Sequence, residues 1–372
     1  MLRRNFLAST AAGLGLAALD SAFAPQLFAK GPPKLKDAGS PCGMLIGFST
    51  VKNGLVYGPA FASFVGANCN IMTPAGELKW AAIRPNQATF DYSGADFMYN
   101  FAQQNGMAFR GHNLCWNTGN PPWLAQTLTK ANAEGILVDH ISKVAGRFAG
   151  KIDSWDVVNE PLALWFNKPG GLYPGPWLDA LGPEYIDFAF HAAAEADPHA
   201  IRVLNVHHVE HARDEVTRVA CISLLESLMK RKVPIQALGI EAHLEAHLPF
   251  DQGQLERFIK KVRGMGLAVQ ITEFDVNDSK VEGSYAERDQ TTADCYRRFL
   301  DMILPIANVQ RLVFWSMWDK GNWMDYMHNA PQWQRSDGSY SHRPGLIDEN
   351  MQPKAAYAAV IASVESNCTK NR

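Results

Sequence analysis

The sequence predicts an α/β protein built as a single (β/α)8 TIM barrel, on three observations. Short apolar runs alternate with longer amphipathic ones for most of the chain. Eight such apolar runs occur, the number a closed barrel requires. Polar and aromatic residues gather at the C-terminal ends of those runs, where barrels carry their active sites. The structural alternative, a doubly wound open sheet, would usually show a Gly-rich phosphate turn after an early strand, and no GxGxxG occurs.

The candidate strands, in order, are LIGFSTV (45–51), NCNIMTP (68–74), AFRGHNLCW (108–116), SWDVVNE (154–160), IRVLNV (201–206), IQALGIEAHL (235–244), AVQITEFDV (268–276) and VQRLVFWSMWD (309–319). Most are near-continuously apolar, as suits parallel strands covered by helices. The intervals carry helix patterns. One runs from Ser93 to a terminating Gly106, with Phe97 and Phe101 four apart. A second offers Ile136, Ile141 and Val144 and ends on Gly150; a third offers Leu255, Phe258, Ile259 and Val262 and ends near Gly264. The last, PKAAYAAVIASVES, has Pro353 near its first turn.

Composition narrows the function. The 372 residues carry a formal net charge of −2, with 19% charged and 47% hydrophobic residues, which suits one large soluble globular unit. So small a net charge argues against nucleic acid or an anionic membrane as partner. No internal apolar run is as long as a membrane span, so no membrane anchor is expected, and a monomer is. The start differs. MLRRNFLASTAAGLGLAAL has paired arginines, an apolar small-residue stretch and then Ala22-Phe23-Ala24, the pattern of an export signal. Arg3 and Arg4 before Asn5-Phe6-Leu7 resemble a twin-arginine signal; an ordinary secretory signal is the alternative. Ala24 and Ala29 are both candidate cut sites. Residues 1–30 are therefore set aside, 31–372 are taken as the catalytic domain, and the destination is periplasmic or extracellular. The six cysteines form no CxxC pair, and mostly buried thiols with room for one bridge are expected.

At the strand ends stand Thr73, His112, Trp116, Asn159, Glu160, Asn205, His243, Glu273, Asp275, Trp315 and Asp319. A closed barrel aims Glu160 and Glu273 into one mouth. Glycoside hydrolysis needs such a pair: one carboxylic acid to protonate the leaving oxygen, one carboxylate to attack the anomeric carbon or activate water. A lone Glu at a strand end is more often a helix N-terminal charge or a salt-bridge partner; two, with aromatics at neighbouring ends, favour chemistry. Of the ten tryptophans, Trp80 and Trp155 read as core. Trp315, Trp318 and Trp323 read as cleft, where flat rings cover sugar faces.

These segments resemble the signatures of the family 10 glycoside hydrolases, the endo-β-1,4-xylanase family. WDVVNEPL and ITEFDV resemble its two active-site motifs. TPAGELKW, RGHNLCWN, GIEAHL, VFWSMWDKGNWM and PGLIDENMQPKAAYAAV resemble further family segments in the same order, spanning roughly residues 43–365. The resemblance implies a retaining β-1,4-glycanase, most directly an endo-1,4-β-xylanase, acting on a polysaccharide or oligosaccharide with no cofactor and no metal. It makes Glu160 the general acid/base and Glu273 the nucleophile. Retention implies carboxyl groups about 5–5.5 Å apart and a covalent intermediate. Asn159 would bind the sugar 2-hydroxyl and His243 would hold Glu273 ionised. Lys79, His112, Trp116, Asn205, Trp315 and Trp323 would complete the substrate-binding set.

The chain also departs from the family. Ala75 and Gly76 replace a Glu-Asn pair that grips the second sugar from the cut. Asn117, Thr118 and Gly119 replace His-Ser-Gln. Asn205-Val206-His207-His208 replaces Asn-Asp-Tyr-Asn, and Glu241 replaces Gln. The reaction class is thus kept while the donor side is rewritten, which leaves another β-glycan or a bacterial exopolysaccharide as an alternative substrate. Two further readings compete. HHVEH (His207, His208, His211) and HLEAH (His243, His247) motivate a metal-dependent hydrolase, although HLEAH lacks the HExxH order. The rewritten subsites motivate a non-catalytic glycan-binding barrel, which would have no use for the retained acid/base equipment.

Overall fold

In the computed structural model, residues 33–327, 330, 333–339 and 341–370 are described; the export segment expected at 1–30 lies outside them. The described strands are β1 (Leu45–Thr50), β2 (Ile71–Pro74), β3 (Ala108–Trp116), β4 (Ser154–Asn159), β5 (Ile201–Val206), β6 (Ala237–Ile240), β7 (His243–Glu245), β8 (Ala268–Asn277) and β9 (Arg311–Phe314). β1 to β6 pair in chain order, β6 pairs β8, β8 pairs β9 and β9 returns to β1, all in parallel. The sheet is therefore a closed eight-stave (β/α)8 barrel, with helices such as Ala133–Arg147 and Tyr285–Ala307 between its staves.

Two predicted strands end differently. The sixth was expected to be continuous over 235–244. It breaks at Glu241–Ala242, where Ala242 adopts φ 59°, and resumes as β7 beside β8. The eighth, expected over 309–319, leaves the ladder after Phe314. Its continuation bonds locally instead: Ser316 Oγ donates to Asp275 Oδ2 (2.9 Å) and Asp319 binds Lys354 Nζ (3.0 Å).

The helices follow their sequence signals. Ser284 and Glu287 form a reciprocal capping box at the start of Tyr285–Ala307. Gly106 and Gly150 take positive φ just beyond the helices Ser93–Gln104 and Ala133–Arg147, as the sequence predicts. The stripe on Ser93–Gln104 is Ala95, Met98 and Ala102, with Phe97 and Phe101 only half-buried at its edge. Cys42 is bridged to Cys368, joining the lead-in turn to the last helix, and Cys69, Cys115, Cys221 and Cys295 are buried thiols.

The barrel interior is not wholly apolar. Arg110 and Asp156 are fully buried and face each other as a bidentate ion pair, a geometry that offsets the desolvation of both charges. Trp155 fits because Gly111 faces it; a Cβ there would lie 2.0 Å from the indole. Gly239 does the same for the site. A Cβ at that position would meet Asn205 Oδ1 at 2.3 Å, so this glycine admits the amide that organises the two glutamates.

Candidate active site

β4 ends in Asn159, and Glu160 follows at φ 47°. That left-handed conformation is unusual for a residue with a Cβ, and more so before proline. It is fixed by a hydrogen bond from Glu160 N to Asn205 O (2.9 Å). Glu273 lies within β8, with its N–H donated to Glu241 O (3.0 Å).

A single amide links the two carboxyl groups. Thr272 Oγ1 donates to Asn205 Oδ1 (2.6 Å). Asn205 Nδ2 lies 2.8 Å from both Asn159 Oδ1 and Glu273 Oε1. Asn159 Nδ2 in turn donates to Glu160 Oε1 (3.3 Å). Asn205 is fully buried and does not line the cavity, so its expected place in the substrate-binding set changes: its polar atoms are occupied by Asn159, Thr272 and the carboxylates beneath the floor.

The two carboxyl groups meet opposite environments. Burial raises the Glu160 carboxyl, and the charge on Glu273 adds to it, to about 7. The Trp116 indole faces the Glu160 carboxyl without completing a hydrogen bond. Burial acts on Glu273 in the same direction, but His112, His243 and Lys79 outweigh it and hold the carboxyl at about 2. His243 Nε2 stands 3.4 Å from Glu273 Oε2, and its Nδ1 lies 2.7 Å from Asp275 Oδ1. Burial opposes the His243 charge, yet Asp275 and Glu273 raise its pKa well above the ordinary imidazole value. Asp275 is itself fixed by Ser316 Oγ and by Trp323 Nε1 (2.6 Å). His112 Nδ1 binds Asp156 Oδ2 at 2.8 Å, which ties the site to the buried Arg110 pair.

These groups line a cavity of about 890 Å³. Lys79, His112, Trp116, Asn159, Glu160, His243, Glu273, Trp315 and Trp323 all border it. Lys79 Nζ sits 5.0 Å from the Trp116 ring centre, Trp315 edges His112 at 5.1 Å, and Trp323 lies 5.1 Å from His243. A second chamber of about 760 Å³ shares Ala75, Trp315 and Trp323 with the first. Trp318 lines that second chamber and stacks on Phe61, while Trp80 and Trp155 are core. Asp319 serves the structure, clamped by Lys354 and Arg343.

Of the departures, Ala75, His207, His208 and Glu241 border the cleft. Asn117 does not; it is buried and donates to Tyr185 Oη (3.2 Å). Sequence reasoning missed Tyr173, Trp165, Trp333 and Glu210, which also border it. They sit on loops well past the strand ends, and only loop aromatics near the motifs could have signalled them. The histidine-rich stretches separate. His211 stacks on Phe250 and accepts from Glu245 N, and His247 is exposed beside Glu245. Among the described residues, the groups able to share an ion are His112–Asp156–Glu273, Glu160–His207–Glu241 and Glu241–His243–Glu273, none with His211 or His247.

A closed parallel barrel whose mouth holds a buried carboxylate beside cations, and a second carboxyl made hard to ionise, is the equipment of a glycoside hydrolase. A family model for glycosyl hydrolase family 10 matches residues 34–363. A β-1,4-xylanase of Dictyoglomus thermophilum is 33% identical over 302 residues, covering 78% of this chain and 81% of the relative. Endo-1,4-β-xylanase B of Thermotoga neapolitana is 30% identical, covering 80% and 81%. The crystal structure of native xylanase 10B from Thermotoga maritima superposes with a TM-score of 0.81 at 27% identity, over 91% of this chain and all of that one. The chain belongs to glycosyl hydrolase family 10, a retaining family.

Proposed function

We propose that the enzyme is an endo-1,4-β-xylanase in which Glu273 is the nucleophile and Glu160 the general acid/base. The observation that carries this reading is the opposed surroundings of the two carboxyl groups: His243 and His112 lie 3.4 and 3.8 Å from Glu273 and hold it at about 2, while buried Glu160, facing that charge, is pushed up to about 7. Relatives that span most of the chain are β-1,4-xylanases, which supports xylan as the substrate.

In the first step Glu273 attacks the anomeric carbon and the glycosidic C–O bond breaks. Glu160 gives its proton to the departing oxygen. The product is a glycosyl ester of Glu273 and a shortened chain with a free hydroxyl. Glu160, now ionised, takes a proton from water, the water oxygen attacks the same carbon, and Glu273 leaves as carboxylate. Two displacements at one carbon retain its configuration. Neutralisation of Glu273 in the ester removes the charge that helped raise Glu160, so the Glu160 pKa falls and the side chain stays ionised, a carboxylate ready to act as base. Asn159 is placed to meet the sugar hydroxyl next to the reacting carbon. Trp116, Trp315 and Trp323 supply apolar faces, and Lys79 and His112 supply donors.

The test is a panel of β-1,4-xylan, β-glucans and bacterial exopolysaccharides with product analysis. Xylo-oligosaccharides with an early fall in xylan viscosity are expected. Release from another glycan but none from xylan would overturn the substrate and keep the mechanism. The same reading takes residues 1–30 as a twin-arginine export signal and 31–372 as an exported, monomeric catalytic domain. N-terminal sequencing of the exported protein and its mass in solution check those points; an uncut N-terminus or a stable dimer would contradict them.

A further inference from the structure

The second chamber lies on one side of the barrel mouth, and strand order tells which half of a bound chain passes it. Ser49 of β1, Ala75 just after β2 and Trp315 just after β9 border the chamber. Trp165, Tyr173 and His208 border the cleft from the loops after β4 and β5. In the closed sheet β1 and β5 stand four staves apart, on opposite sides. Glu160 follows β4 and, in the proposed mechanism, protonates the leaving oxygen. The leaving half of the chain therefore runs out over β4 and β5, and the half held on Glu273 runs toward β9, β1 and β2.

Ala75, Trp315 and Trp323 border both spaces, and Ala75 offers only a methyl group there. Gly76 beside it offers none; a Cβ at that position would lie 3.6 Å from Val51 Cγ1, on the chamber wall. The partition is therefore low where this chain has two small residues in a row. The chamber itself presents free donors and ring faces. Ser49 is 2% exposed, and neither its Oγ nor the Trp318 indole N–H has a hydrogen-bond partner among the described residues. Buried polar groups are ordinarily paired, so both stand ready for a ligand's hydroxyls. Tyr57 and Tyr326, 81% and 70% exposed, border the same space. Flat rings of this kind, apolar on the face and polar at the tip, suit a sugar. The volume of about 760 Å³ lies within the roughly 300–1,000 Å³ of small-ligand sites. Among the described residues Lys320 is the one charged side chain on the border, 5.7 Å over the Trp318 ring, which favours neutral or acidic sugars over amino sugars.

We propose that this chamber is a specificity site for a branched β-1,4-glycan: the main chain lies in the cleft, and a single-sugar branch on a donor-side unit passes over Ala75 into the chamber, where Ser49 and Trp318 meet its hydroxyls. The substrate is then recognised by its branch as well as by its backbone. The inference rests on the glycanase reading of the cleft, which supplies the main chain and its direction.

Linear β-1,4-xylan is compared with xylans branched by a neutral pentose and by a uronic acid. At least one branched chain should exceed the linear one by about tenfold in kcat/KM. In its products the branch should lie near the new reducing end of the donor-side fragment. Asn53 borders the chamber and not the cleft, and Asn53→Trp puts a large ring into that space. Ala75→Phe raises the partition. Each should bring the branched-to-linear ratio back to about one, and Ser49→Ala should lower it about threefold. Thermal melts establish that each variant is folded, and the exposed Asn53 site keeps the test open if Ala75→Phe is not. Equal rates on linear and branched chains, branches found only on the leaving fragment, or a ratio indifferent to Asn53→Trp would overturn the proposal. Cleavage of linear xylan with no gain from either branch sinks the chamber alone. If every xylan is left intact while another β-glycan is cleaved, the substrate reading fails, and linear and branched forms of that glycan decide the chamber by the same ratio.

Discussion

The ends of β4 and β8 carry the same residue type and treat it in opposite ways. Glu273 is packed among groups that favour its charge: His243 at 3.4 Å, His112 Nδ1 at 3.8 Å and the Asn205 amide at 2.8 Å. Glu160 receives one weak hydrogen bond from Asn159 at 3.3 Å and looks across at the Glu273 charge. Both side chains lose water, so burial alone would raise both. Neighbouring charge decides the difference, and in the proposed mechanism that difference selects which carboxyl attacks and which donates.

The comparison is broken most severely at Glu273. Glu273→Gln should reduce kcat on the order of 10⁵-fold on any substrate, because it removes the proposed nucleophile of the covalent ester. A thermal melt of the variant separates that loss from misfolding. Glu160→Ala should cost about 10²–10⁴ in kcat on xylan. With an activated aryl leaving group the first step no longer needs the proton, so added azide should restore turnover and yield a β-glycosyl azide. Azide without effect would place the acid/base elsewhere.

His243→Asn sharpens the comparison by making the Glu273 surroundings more like those of Glu160. Loss of that cation should raise the acid limb of kcat/KM by about one to two units; an unmoved limb would show that His112 and Lys79 suffice. In the native enzyme the profile should be bell-shaped. Activity is lost as pH falls through about 2, where Glu273 takes a proton, and as pH rises through about 7, where Glu160 loses one. A plateau that continues well above pH 7 would contradict the environment of Glu160. The smallest effect is expected at Asn117, which leaves the family pattern yet lies outside the cleft. Asn117→Ser should leave kcat/KM within about twofold and cost about 1 kcal/mol of stability through the lost bond to Tyr185.

Much of this was legible in the residues. Period and strand-end chemistry gave the barrel, and the placement of Asn159, Glu160, His243 and Glu273 around one mouth follows from closure. Three things were not legible. The break at Glu241–Ala242 depends on a left-handed residue that is alanine, so nothing in residue type announces it. The position of Asn205 beneath the floor depends on Gly239, 34 residues further along the chain but adjacent in the sheet. The separation of His211 and His247 from the site depends on loop paths that no periodicity describes. The departures sorted the same way: Ala75, His207 and Glu241 reached the cleft, while Asn117 turned into the core.

The division of labour between the two glutamates is tested most directly by trapping the intermediate. A 2-deoxy-2-fluoro-β-xyloside with a good leaving group slows both displacements, and the activated leaving group lets the first outrun the second. After digestion, mass spectrometry should find the fluoroglycosyl group on the peptide that contains Glu273, as an ester of that side chain. An adduct on Glu160 or Glu241, or hydrolysis to the inverted anomer with no adduct, would contradict the assignment.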